Sequence, residues 1–110
     1  MTEVNTSNFE KEVTEHKGFR LIQFYGAACV LCRMNKQILV NNEERLGMKL
    51  CLVNAQDNPE LTGEYSVTSI PTVIVQSPSG INSVIQGNLQ GGELVKAIKH
   101  AKQVLSTSSI

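Results

Sequence analysis

Three stretches of this chain are built mainly of apolar positions: 19–25 (Phe-Arg-Leu-Ile-Gln-Phe-Tyr), 49–54 (Lys-Leu-Cys-Leu-Val-Asn) and 72–76 (Thr-Val-Ile-Val-Gln). Short apolar runs of this kind predict strands, the first two buried and the first central in its sheet. Between them the period changes. Phe9 and Val13, four apart, predict a first helix capped by Thr6 or Ser7 and stopped at Gly18. Residues 26–28 (Gly-Ala-Ala) form a turn, and from Cys29 the pattern is helical. Leu31, Met34 and Ile38 recur at i, i+3 and i+7 as the inner face, with Arg33, Lys36 and Gln37 outward. The pair Asn41 and Asn42 weakens this helix, and Gly47 closes it.

Asn58 and Pro59 start a short helix that ends near Tyr65, because proline suits the first helical position. Ser77-Pro-Ser-Gly80 has the composition of a hairpin turn, so residues 81–86 pair antiparallel with the strand before them. After Gly87, the spacing of Leu94, Ile98, Ala101 and Leu105 marks a closing amphipathic helix, with 106–110 a frayed tail. The order is helix, strand, helix, strand, helix, hairpin, helix. It predicts a single α/β domain over residues 1–110, a mixed sheet of four to five strands with helices on both faces.

Composition narrows the function. A 110-residue chain with 41% hydrophobic residues can bury a core without disulfide staples or metal. Ten acidic residues balance ten basic ones, so no field draws the chain to nucleic acid or to an anionic membrane. The N-terminus lacks the basic start and apolar stretch of a secretory signal, and no apolar run approaches the roughly 20 residues that cross a bilayer. These features predict a cytoplasmic monomer. Three cysteines are too few, and the wrong parity, for a secreted disulfide scaffold.

Cys29 and Cys32 therefore carry the candidate chemistry. At the first turn of a helix, residues three apart can form a disulfide. The first sulfur lies near unpaired N–H groups and the positive end of the helix dipole, which stabilise its thiolate. An ordinary cysteine titrates near about 8.5, and such surroundings lower that value. The second cysteine, one turn in, is shielded and suited to attack the first once a mixed disulfide has formed. A metal site would need a second ligand pair, and Cys51, His16 and His100 show no such spacing. Chance placement of two small hydrophobes is the remaining alternative. Cys51, inside a strand, is expected to be a buried small hydrophobe, and both histidines to be solvated near helix ends.

The segment Phe24-Tyr-Gly-Ala-Ala-Cys-Val-Leu-Cys-Arg33 resembles the thioredoxin active-site segment, Phe-Trp-Ala-x-Trp-Cys-Gly-Pro-Cys-Lys. The stretch from Asp57 to Val75, with Ile70-Pro-Thr72, is similar to the family's approach to its Ile-Pro-Thr loop, and Gly80 and Gly87 match its later glycines. The resemblance spans about residues 9–105. It implies that Cys29 is the nucleophile, Cys32 the resolving thiol and Pro71 a cis proline packed beside them. Gln23, Tyr25, Val30 and Leu31 would support the pair, and Ala28, Ser69, Ile70 and Gly87 would receive the substrate. An extended substrate segment would pair with the backbone at Ile70.

Four departures from the family pattern stand out. Val30 and Leu31 replace the usual Gly-Pro between the cysteines. Gln23 stands in place of a buried Asp, and Leu52 in place of that Asp's lysine partner. Gln cannot titrate, so it holds a thiol or water only by hydrogen bonds. Losing both members of the pair leaves neither buried charge uncompensated. Tyr25 and Ala28 replace two tryptophans, and the Tyr25 hydroxyl either reaches the rim of the site or simply ends a strand-end aromatic. Arg33 is expected on the solvated helix face. The implied activity is reduction of disulfide-containing proteins by dithiol exchange, with no bound cofactor. Reducing equivalents would come from a thioredoxin-reductase-type flavoenzyme using NADPH. The alternative is a redox-sensing or partner-docking module with little turnover.

Overall fold

The computed structural model describes residues 1–85 and 89–108. Five strands, β1 (Thr2–Val4), β2 (Arg20–Tyr25), β3 (Lys49–Asn54), β4 (Thr72–Gln76) and β5 (Asn82–Ile85), form one mixed sheet in the order β1-β3-β2-β4-β5. The helices are α1 (Val30–Asn41), α2 (Glu43–Leu46), α3 (Pro59–Glu64) and α4 (Gly91–Ser108), with a π-helical turn over Glu10–Thr14. β1 and β2 both run parallel to β3, while β4 is antiparallel to β2 and to β5. The apolar run 19–25 is thus the centre of the sheet, as its pattern predicts.

Alternation along the strands feeds two cores. Leu21, Leu50, Val73 and Val75 point to one face and pack with Leu39 of α1 and Leu94, Ile98, Ala101 and Leu105 of α4. Ile22, Phe24, Cys51, Val53 and Ile74 point to the other, with Val4, Val13 and Leu61. Fully burying one such aliphatic side chain stabilises the fold by about 1.5–3 kcal/mol, so both layers are needed to hold β2 in place. The site lies at the C-terminal end of β2, where the chain turns into α1.

Several sequence expectations are corrected. Residues Thr2–Val4 form an edge strand that the pattern did not predict, with Val4 fully buried. Neither Thr6 nor Ser7 caps the first helical segment. Its N-cap is Phe9, with no side-chain cap, and the turn before it is closed by Asn5 and Asn8: Asn5 Oδ1 accepts from the Ser7 and Asn8 amides, and Asn8 Oδ1 from the Asn5 amide at 2.7 Å. The inner face of α1 is Cys32, Asn35 and Leu39, one residue beyond the predicted stripe, and Met34 is 48% exposed. Leu31 and Ile38 become half-buried flanks of the stripe. Residues 106–108, expected in a tail, continue α4, and the Ser106 and Thr107 hydroxyls donate to the Lys102 and Val104 carbonyls.

The expected punctuation is present elsewhere. Gly47 takes a left-handed conformation (φ 62°) at the end of α2, and Pro59 opens α3. At the hairpin, Gly80 has φ 92° and its amide donates to the Ser77 carbonyl at 2.9 Å. Gly87 lies outside the described residues. No helix among the described residues is long and apolar enough to cross a membrane.

Candidate redox site

Cys29 is the N-cap of α1. Its backbone is extended (φ −97°, ψ 102°), and its sulfur accepts a hydrogen bond from the Cys32 amide at 3.0 Å. Helix N-termini leave N–H donors without intrahelical partners, and here the cysteine sulfur takes the place of the usual capping oxygen. The same N–H would stabilise a thiolate on Cys29. The two cysteines form a disulfide with Cα atoms 5.2 Å apart. They differ in access: Cys29 is half-buried at the surface, and Cys32 is only 2% exposed. A partner can reach the first sulfur but not the second.

Beside Cys29 lies an open hollow lined by Gly26, Ala27, Ala28, Cys29, Gln56 and Ile70. The predicted contact residues Ala28 and Ile70 therefore line one hollow with Cys29. Ile70 is 40% exposed, the Ile70–Pro71 peptide is cis, and Pro71 itself is buried. Ser69 is exposed, and its carbonyl accepts from the Thr72 hydroxyl at 2.6 Å in the loop before β4. Val30 is 61% exposed next to Cys29, whereas Leu31 is half-buried.

Gly26, read from the sequence only as part of a turn, is buried against the tip of the Ile70 side chain. A Cβ at Gly26 would fall 2.5 Å from Ile70 Cδ1, closer than side chains pack. A buried glycine directly after a strand is the signal that could have found it. Gln56, contributed by the segment after β3, was also missed.

Under the disulfide, a second crevice is lined by Gln23, Tyr25, Cys32, Leu52, Arg33 and Lys36, with Gly26 and Ala27. Gln23 is 1% exposed, and its Nε2 donates to the Cys32 carbonyl at 3.0 Å. The register places Gln23 beside Leu52, which is 4% exposed. The floor of this crevice is thus neutral, and its rim carries the cations Arg33 and Lys36 and no carboxylate. Arg33 is on the exposed helix face, as expected. Gln23 Oε1 and the buried Asn35 Oδ1 have no hydrogen-bond partner among the described residues. Asn35 carried no periodicity signal, since a polar residue off the apolar stripe ordinarily reads as solvated.

Tyr25 lines the crevice with its ring but turns its hydroxyl away from the cysteines. The hydroxyl donates to Glu3 Oε2 of β1 at 2.8 Å. Burial, and then the hydrogen bond to the Glu3 carboxylate, push its pKa up to about 12. Tyr25 does not extend its hydroxyl to the active-site rim; it ties β2 to β1. Cys51 is fully buried and unpaired, and burial pushes its thiol up to about 11, so it is the inert hydrophobe expected. His16 is half-buried rather than solvated, and burial holds its pKa below the ordinary value. Among the described residues, no cluster of His, Cys, Asp and Glu is placed to hold a metal ion.

Comparison with known proteins agrees with this geometry. The family model described as Thioredoxin matches residues 1–100. A thioredoxin of Listeria monocytogenes is 31% identical over 98 residues, covering 87% of this chain and 93% of its own. A thioredoxin of Buchnera aphidicola subsp. Schizaphis graminum is 35% identical over 75 residues, covering 66% of this chain and 69% of its own. A bifunctional thioredoxin reductase/thioredoxin of Mycobacterium leprae is 29% identical over 102 residues, which is 91% of this chain and 19% of that protein. Among solved structures, chloroplastic thioredoxin z superposes with a TM-score of 0.71 at 14% identity, covering 94% of this chain and 95% of its own.

Proposed function

From the premise that this chain belongs to the thioredoxin family, we propose that it reduces disulfide bonds of other proteins by dithiol exchange at Cys29 and Cys32. The observation that carries this reading is the asymmetry of the pair. Cys29 is reachable and capped by an N–H donor, while Cys32 is sealed one turn behind it. In the dithiol form, the Cys29 thiolate attacks one sulfur of a substrate disulfide, forming a mixed disulfide and releasing one substrate thiolate. The Cys32 thiolate then attacks Cys29 Sγ, which expels the second substrate thiolate. The intramolecular disulfide seen here closes the cycle. Two electrons have passed to the substrate, and two protons convert its thiolates to thiols.

The hollow at Ala28 and Ile70 receives the substrate segment around the attacked sulfur. The exposed Val30 and Ile70 supply apolar contact on either side. Recharging requires two electrons from a partner, read here as a thioredoxin-reductase-type flavoenzyme drawing on NADPH, in a reducing cytoplasm. The neutral crevice floor has a kinetic consequence. Cys32 must lose its proton with no buried carboxylate beneath it, so resolution is slower than with an acid at Gln23.

Insulin-disulfide reduction with a thioredoxin reductase and NADPH tests the reading. Turnover that Cys29→Ser abolishes supports it. A reducible Cys29–Cys32 disulfide with no turnover on protein disulfides refutes it in favour of a sensing or docking module, which the neutral Gln23–Leu52 floor also suits.

A further inference from the structure

At the opposite end of β2 from the cysteines, Arg20 is 3% exposed. Its Nε donates to Gln76 Oε1 at 2.8 Å. Its Nη1 donates to the carbonyls of His16 (3.0 Å), Gly18 (3.3 Å) and Pro78 (3.3 Å). All four acceptors are neutral. The two ion pairs among the described residues, Met1 with Glu43 and Lys49 with Glu12, leave Arg20 out. A guanidinium cannot shed its proton, so this is a retained buried cation without a carboxylate. Buried charges of this kind are ordinarily paired, because their desolvation is costly.

Beside it opens a hollow of about 370 Å³. Arg20 lines it, and Nη2 has no acceptor among the described residues. Two further donors border the same space. The Tyr65 hydroxyl accepts from Gln76 Nε2 at 2.9 Å and keeps its own proton to give. Asn82 Oδ1 accepts from the same nitrogen at 2.9 Å, which leaves the Asn82 amide N–H groups unused. One wall is aromatic: the Phe9 and Tyr65 rings lie 5.9 Å apart, tilted by 58°. The exposed Glu64 also lines the hollow and opposes multiply charged anions.

We propose that Arg20 and this hollow bind a singly charged carboxylate with an apolar body. The carboxylate accepts from Arg20 Nη2 and from the Tyr65 hydroxyl or Asn82 amide, and the body rests on the Phe9–Tyr65 wall. The ligand is either a small free acid or the carboxylate end of a peptide chain. The proposal is independent of the dithiol chemistry.

The test is a titration of the intact, isotopically labelled protein with benzoate at fixed ionic strength, following the side-chain amide resonances of Gln76 and Asn82. Saturable shifts with benzoate, absent with the neutral benzamide, are expected. Glu64→Gln should tighten binding about twofold, the effect of one rim charge in a water-like dielectric. Arg20→Gln should weaken it about tenfold or more, as for a lost charge-assisted hydrogen bond. Should Arg20→Gln not fold, the exposed Glu64→Gln variant carries the test alone. Non-saturating shifts, equal shifts with benzamide, or indifference to Glu64→Gln would overturn the proposal. A short peptide ending in Phe, with its carboxylate free or amidated, separates the two sources. Tighter binding than benzoate by the free form alone assigns the site to chain ends, and weaker binding assigns it to small acids.

Discussion

Replacing Gln23 by Glu changes an amide into an acid of the same length and places a carboxyl on the neutral floor beneath Cys32. The position is 1% exposed, its neighbour across the sheet is Leu52, and its Nε2 now donates to the Cys32 carbonyl. An ionised Glu there would lose solvation and set an anion against that carbonyl oxygen, and both effects raise its pKa. A rise of about 3 units from about 4.3 is in the range of buried carboxyls and puts the folded-state value near about 7. The unfolded chain would ionise from about pH 4.3, so between the two values the native state holds the extra proton. Stability therefore falls as pH rises, by about 4 kcal/mol in all and about 3 kcal/mol of it between pH 5 and 8.

The assay is urea unfolding of the oxidised protein at pH 5, 6.5 and 8, with the wild type subtracted. Oxidised cysteines do not titrate, and stopping at pH 8 keeps the Cys51 thiol from contributing. The half-buried His16 is common to both proteins and cancels. The same variant should add an inflection near pH 7 to the rate at which mixed disulfides resolve, since Cys32 gains a base. A wild-type-like pH slope together with an unchanged rate profile would refute the picture of a sealed, neutral floor.

Three further outcomes follow from the packing. Cys51 is raised to about 11 by burial, so the oxidised protein should lose stability as pH rises from about 8.5 towards 11, by at most about 3 kcal/mol. Urea melts at pH 8 and 10 should show a loss about 2 kcal/mol greater in the wild type than in Cys51→Val, whose remaining loss comes from Tyr25 and Tyr65, both raised by burial. On α1, Leu39→Ala should cost about 2–5 kcal/mol, whereas Met34→Lys should stay within about 0.5 kcal/mol, as thermal unfolding will report. Equal costs would contradict the observed inner face. Tyr25→Phe removes the bond to Glu3 and should cost about 0.5–1.5 kcal/mol while leaving insulin reduction unchanged. A large rate loss would return the hydroxyl to the redox site.

Much of this was legible because the relevant signals are local. The run Arg20–Tyr25 carries apolar residues on both faces, Ile22 and Phe24 on one and Leu21 on the other, and only a central strand buries both. Cys29 and Cys32 sit where a strand pattern gives way to a helical one, which fixes a helix start. What escaped depends on distant partners. β1 offers one inward residue, Val4, too few for a period, and it exists because β3 leaves an edge beside it. The face of α1 turns on how the chain leaves β2, and a rotation of one residue moved Met34 out and Asn35 in. Gly26 matters only through Ile70, 44 positions away in the sequence. Arg20 looked like a polar interruption of a strand, and its burial rests on Gln76 and carbonyls from two other loops.

The claim that Cys29 attacks and Cys32 resolves is tested most directly by trapping the intermediate. Reduced Cys32→Ser protein, mixed with a disulfide-containing protein and analysed by mass spectrometry, should accumulate a one-to-one mixed disulfide through Cys29. No adduct, or one through Cys51, would contradict the account.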